Sequence, residues 1–248
     1  MDKKQKVIFS ISSLAALFFG VTPVAQAMHI MEGYLPPVYC IAWGVICLPF
    51  LVAGWFSIKK ILAENRKTIT ILALTGAYIF VLSSLKIPSV TGSCSHMTGT
   101  GLGAILFGAS TVSILGIIVL IFQAIMLAHG GLTTLGANTF SMAIAGPIVS
   151  LVIYKLCQTL KINKHVGIFF ATFIGDLFTY CVTSVQLALA FPSAQGGVAA
   201  STIKFLMVFA PTQLPLAIIE GILTVVIIMG LETYAKSELT AIGFVKAG

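Results

Sequence analysis

The sequence predicts an all-α integral membrane protein with about seven transmembrane helices, and three observations predict it. Only 8% of the 248 residues are charged and 58% are hydrophobic, whereas soluble domains carry roughly 25% charged residues. Mean hydropathy is +1.07. The apolar runs are long and continuous rather than alternating, so backbone groups that lipid cannot satisfy are satisfied within helices and not in a closed barrel. The formal charge of +7 is held largely in short loops between apolar runs. That pattern sets orientation in a membrane and argues against nucleic-acid binding.

Residues 1–27 read as a secretory leader. Lys3, Lys4 and Lys6 precede an apolar stretch over 7–21, and Ala25-Gln26-Ala27 is a small-x-small cleavage site. Cleavage after Ala27 leaves residues 28–248 as a single transmembrane domain that starts outside the membrane with a free amine on Met28. The first span is expected at 38–58, ahead of Lys59, Lys60, Arg66 and Lys67 on the cytoplasmic side. A second span at 68–85 returns to the exterior and opens into a loop with Pro88 and several glycines. Residues 101–129 form one apolar stretch without charge. Taken as one span it would place Lys155, Lys161 and Lys164 outside, so two short passages, 102–110 and 112–128, are predicted instead. Short passages fit only when buried in a bundle or lining a cavity. A span at 134–157 with a kink at Gly146-Pro147 follows, then one at 166–190. The last, at 203–234, is expected to break near Pro211 and Pro215 and to leave a short cytoplasmic tail. The five cysteines imply no disulfide framework, although Cys40 and Cys94 share the exterior side.

Chemistry concentrates at two outer segments. An α-amine on Met28, the amide nitrogen of His29 and its imidazole can close fused five- and six-membered chelate rings on one divalent ion. His96, in the glycine- and serine-rich outer loop, can supply a fourth nitrogen. A planar nitrogen set favours Cu(II) or Ni(II), with low-spin Co(II) also open, and a tetrahedral zinc site needs no deprotonated amide. The plainer alternative is an exposed histidine at a new terminus. Glu32 can orient a histidine or the amine from behind, or it is a surface carboxylate. Ser93 and Ser95 flank the loop histidine. Cys94 and Met97 offer soft atoms but read more simply as turn residues, and His129 as a polar anchor at a helix end. Asp176 and Glu220 lie inside spans, where acids are expensive. Asp176 is expected to bond Thr172 or Thr179, and Glu220 to join Gln213 in a polar seam; Gln123 and Gln186 are expected to bond between helices. Ala73 and Ala77 have small-xxx-small spacing, which suits close helix approach.

Four separated stretches carry a resemblance. They are Met28-His29-Ile30-Met31-Glu32-Gly33-Tyr34-Leu35-Pro36, the loop from Lys86 to His96, the run from Ala128 to Asn138, and Thr183-Ser184-Val185-Gln186-Leu187-Ala188-Leu189-Ala190-Phe191-Pro192. Together they resemble the CbiM/NikM family, the substrate-capture (S) components of energy-coupling factor importers. The resemblance implies a six-helix S-component core with one extra N-terminal helix. It implies ligation by the Met28 amine, the amide and imidazole of His29, and the imidazole of His96. Also implied are a transmembrane T component (CbiQ type), cytoplasmic ATPases (CbiO type) and a small accessory membrane subunit (CbiN type). The Ala73/Ala77 face would dock the partner. Met97 departs from the proline expected after the loop histidine.

Nickel-capture relatives often carry the accessory subunit fused at the C-terminus, so an end at Gly248 points to the cobalt type. The expectation is therefore Co(II) capture for cobalamin biosynthesis, in a multi-pass protein of the bacterial cytoplasmic membrane. Its N-terminus lies outside and its C-terminus in the cytoplasm. The ion is cargo and not a permanent cofactor. No catalysis is expected in this chain, which lacks a G-x-x-x-x-G-K-[ST] loop. Ni(II) capture is the alternative, and a membrane enzyme using Asp176, Glu220 and His129 is the remote one.

Overall fold

The computed structural model of the protein describes residues 29–66, 68–88 and 94–245. The 1–27 leader, Met28 and Ser93 lie outside the described residues. All seven expected segments are helical. α1 is Pro37–Glu64, α2 Thr68–Ser84, α3 Thr100–Phe107 and α4 Ala109–Leu127. α5 spans Leu135–Thr159, α6 Lys164–Ala190 and α7 Gly197–Tyr234. Of these, α1, α4, α5, α6 and α7 are long and apolar enough to cross a membrane, and the protein is a multi-pass membrane protein. A short antiparallel pair, β1 (Ile87–Pro88) with β2 (Cys94–Ser95), lies between α2 and α3.

α1 begins with Pro37, whose missing N–H costs nothing in a first helical turn. It lies at the rim of the bundle, with only Cys47 and Gly54 buried. Glycine contacts bring it in: a methyl at Gly136 of α5 would sit 2.5 Å from the backbone nitrogen of Gly44. Its outer face carries Val38, Ile41, Val45, Leu48, Val52, Trp55 and Phe56, an apolar surface suited to lipid.

α3 has only 8 residues, or about 12 Å of helix against a hydrocarbon layer of about 30 Å. Such a helix must sit inside the bundle, and Thr100 through Leu106 are all buried. The break between α3 and α4 falls at Gly108, with φ +86, slightly before the boundary expected at 110–112. A left-handed residue without Cβ accomplishes this turn most cheaply.

Two helices handle proline differently. In α5, Gly146-Pro147 follows a π-helical turn over Thr139–Ala145, so the widened turn absorbs the lost amide donor. α7 was expected to break near Pro211 and Pro215, yet it runs unbroken for 38 residues and starts at Gly197 rather than 203. The Tyr180 hydroxyl donates to the Leu206 carbonyl and the Thr212 hydroxyl to that of Phe209. The carbonyls that the two prolines leave without a helical donor are those of Met207 and Pro211, one turn earlier in each case.

The C-terminal tail forms a further short helix. This helix, α8 (Lys236–Ala241), packs on α7 and α2, and Leu239 is fully buried in the apolar cluster that includes Ile71, Ile228 and Leu231. Lys164 pairs with Glu232 at 2.5 Å and lies 4.0 Å from the Phe244 ring centre. Among the described residues Cys40, Cys47, Cys157 and Cys181 are free thiols.

Candidate metal centre

The segment that follows Met28 is threaded into the bundle rather than lying on its surface. Ile30 and Leu35 are 2% and 3% exposed, and burying such side chains stabilises the docked segment by about 1.5–3 kcal/mol each. The run 129–138 forms the cradle. The Ile30 amide donates to Asn138 Oδ1 at 2.8 Å, and its carbonyl accepts from Thr134 Oγ1 at 2.6 Å and Asn138 Nδ2 at 3.0 Å. The Glu32 amide donates to the Gly130 carbonyl at 3.2 Å. A methyl on Gly131 would lie 2.5 Å from Glu32 Cα and 2.7 Å from its backbone nitrogen. Glycine at 131 is thus needed for the segment to seat.

Three histidines meet at the end of this segment. His29, His96 and His129 are 2%, 1% and 2% exposed, and one ring nitrogen from each lies within 4.8 Å of the others. The rings of His29 and His96 stack with centres 4.3 Å apart. His129 stands nearly perpendicular to both, at 86° and 77°. Burial is the main cause that lowers the basicity of all three, taking His96 down to about 4. Neutral imidazole is the form that binds a metal.

Partners assign the tautomers. His96 Nδ1–H donates to the Met97 carbonyl at 2.7 Å, which leaves Nε2 as a bare lone pair. That nitrogen is buried and has no hydrogen-bond partner among the described residues. His29 Nε2 lies 3.1 Å from Met142 Sδ, an acceptor, so its proton is there and Nδ1 is the basic nitrogen. His129 Nε2 meets that Nδ1 at 2.7 Å and is the donor between them.

The His96 loop is fixed from the opposite side by α6 and α7. Thr98 donates through its amide to Glu220 at 2.6 Å and through its hydroxyl at 3.0 Å. Gln213 Nε2 donates to the His96 carbonyl at 3.2 Å and to Asp176 Oδ2 at 2.5 Å. Ser95 pairs with Thr212 at 2.8 Å. Asp176 therefore does not bond Thr172 or Thr179, as had been expected. Those hydroxyls bond helix carbonyls in their own chain turns, at Ile168 and Gly175. The two acids form a polar seam with Gln213 that holds a loop. Gln123 and Gln186 do bond between helices, to Ser83 and to the Ala137 carbonyl.

The structure thus brings His29 and His96 together and adds His129, which the sequence presented as a helix-end anchor or, remotely, as an acid/base group, and not as a ligand. Glu32 stands apart from the rings. Its exposed carboxylate accepts from the Thr133 amide at 3.2 Å, and hydrogen bonding to Thr133 holds its pKa below the usual value. Ala73 and Ala77 are far from the histidines, lining an apolar groove with Leu72, Gly76, Leu115 and Phe122.

Residues 29–238 match the family described as the cobalt uptake substrate-specific transmembrane region, CbiM. The chain is 73% identical over 248 residues to a cobalt transport protein CbiM of Lachnoclostridium phytofermentans, covering 100% of this chain and 99% of that one. It is 59% identical to the protein of the same name from Chlorobium limicola, over 95% of this chain and 94% of that one. A crystal structure of a truncated transition metal transporter superposes with a TM-score of 0.73 at 27% identity, covering 83% of this chain and 99% of its own. With a family match over most of its length and relatives this similar, the chain belongs to the CbiM family.

Proposed function

We propose that this protein is the metal-capturing subunit of an ATP-driven importer and that its cargo is Co(II). The observation that carries the reading is the orphaned Nε2 of His96, a buried basic nitrogen facing two further imidazoles. Buried polar atoms rarely go unpaired, and a ligand is an ordinary explanation when one does. Cobalt as cargo is supported by the names of relatives that are 73% and 59% identical. The donor set consists of His29 Nδ1, His96 Nε2, the His29 amide and the Met28 amine, freed by removal of residues 1–27. His29 Nδ1 is the nitrogen that closes a six-membered ring with the amide of the same residue, and the tautomer derived above leaves it basic.

On this reading the chain hydrolyses nothing. ATP is used by separate cytoplasmic subunits, coupled through a transmembrane partner seated on the Ala73/Ala77 groove, with a small accessory membrane subunit completing the complex. The N-terminus faces outward and the tail inward, which agrees with basic residues 59, 60, 66 and 67 following α1. Asp176 and Glu220 serve to hold the His96 loop.

Uptake of labelled cobalt by cells carrying the complete transporter tests the assignment. His29→Ala and His96→Ala should abolish it, while wild type accumulates cobalt over nickel. Preferential nickel accumulation would reassign the cargo. Undiminished uptake by both variants would remove the site altogether.

A further inference from the structure

The hydrogen bond between His29 and His129 has a consequence for how the ion is held. His29 Nδ1 is the nitrogen assigned above to the metal, and His129 Nε2 is bonded to it at 2.7 Å. An ion on that lone pair displaces the hydrogen bond. His129 is only 2% exposed, and its Nε2 would then be a buried polar atom without a partner, which is unfavourable. The cost disappears if His129 bonds the ion too. Its neutral ring then carries its one proton on Nδ1 rather than Nε2.

The spacing of His29 and His129 already suits a shared ion. Two nitrogens bound to one ion at about 2.0–2.1 Å and at right angles lie about 2.9 Å apart, close to the observed 2.7 Å. The perpendicular ring also approaches without overlapping the stacked pair, at 86° to His29 and 77° to His96. Left-handed backbone at Ala128 (φ 46) and Gly130 (φ 75) turns His129 inward at the end of α4, and its amide is fixed to the Gln123 carbonyl at 3.1 Å. The donor is therefore built into a rigid turn.

We infer that His129, through Nε2, is a third imidazole donor to the captured ion. The inference rests on the assignment of His29 and His96 as donors. X-ray absorption at the cobalt edge on the full-length, processed wild-type protein loaded with Co(II) counts imidazoles directly. Three are expected; two would overturn the inference. In parallel, His129→Gln retains a hydrogen-bonding group beside His29. It should melt, metal-free, at the wild-type temperature, show two imidazoles, and bind Co(II) about 10- to 100-fold more weakly. Unchanged affinity and an unchanged imidazole count would contradict the inference. His29→Ala and His96→Ala separate the two levels. If they abolish binding while His129→Gln binds normally, only the third donor is lost; if they too bind normally, the whole metal site fails.

Discussion

At the level of single residues the site is defined by burial of groups that water would otherwise satisfy. His96 illustrates this: its Nδ1 is committed to a backbone carbonyl, and its buried, basic Nε2 has no hydrogen-bond partner among the described residues. Burial lowers its pKa to about 4, against about 6.5 in an unfolded chain. Below pH 6.5 the unfolded state therefore takes up protons that the folded state refuses, and stability is lost as pH falls from 6.5 towards 4. Thermal melting of the metal-free protein in detergent should show the melting temperature declining across that window. In a His96→Gln variant the decline should be shallower, and an equal decline in both would exclude His96 as a contributor. His29 and His96 were legible in the sequence as candidates, because one is the second residue after the expected cleavage site and the other lies in a glycine-rich loop. His129 was not. A histidine closing an apolar run looks like any interfacial anchor, and only the left-handed turn at Ala128 aims it inward.

At the level of elements, the amino-terminal segment and the turn 129–138 act as one unit. Gly131 is the tightest point, since an added methyl meets Glu32 backbone, which cannot rotate away as a side chain would. Gly131→Ala should unseat the segment and weaken Co(II) affinity about 10- to 100-fold, the range seen when groups that orient ligands are lost. Helix content by circular dichroism should not change; an unaltered affinity would mean the segment docks otherwise. Charge parity alone divides 101–129 into two passages, and the structure divides it at Gly108. The breaks that proline suggested in α7 did not materialise. Each proline removes one amide donor, a local loss that the packing of a long helix in a bundle can outweigh. The buried Leu239 was equally invisible, because its burial depends on where α8 meets α2 and α7, which a six-residue polar segment does not announce.

At the level of the whole molecule, capture and coupling are assigned by the proposed function to different surfaces. The histidines are enclosed, whereas Ala73 and Ala77 line an open apolar groove between α2 and α4. Ala73→Leu with Ala77→Leu should fill the groove and abolish uptake by the assembled transporter while purified protein still binds Co(II). Loss of binding in that variant would show the two surfaces are not independent. The central claim is that a free amine on Met28 joins His29 and His96 around the ion, and calorimetric titration with Co(II) tests it most directly. Protein beginning at Met28 should bind one ion per chain. The same protein with Ala27 retained, its Met28 nitrogen now in a peptide bond, should lose affinity by at least about 100-fold. Equal affinity for the two forms would contradict the account.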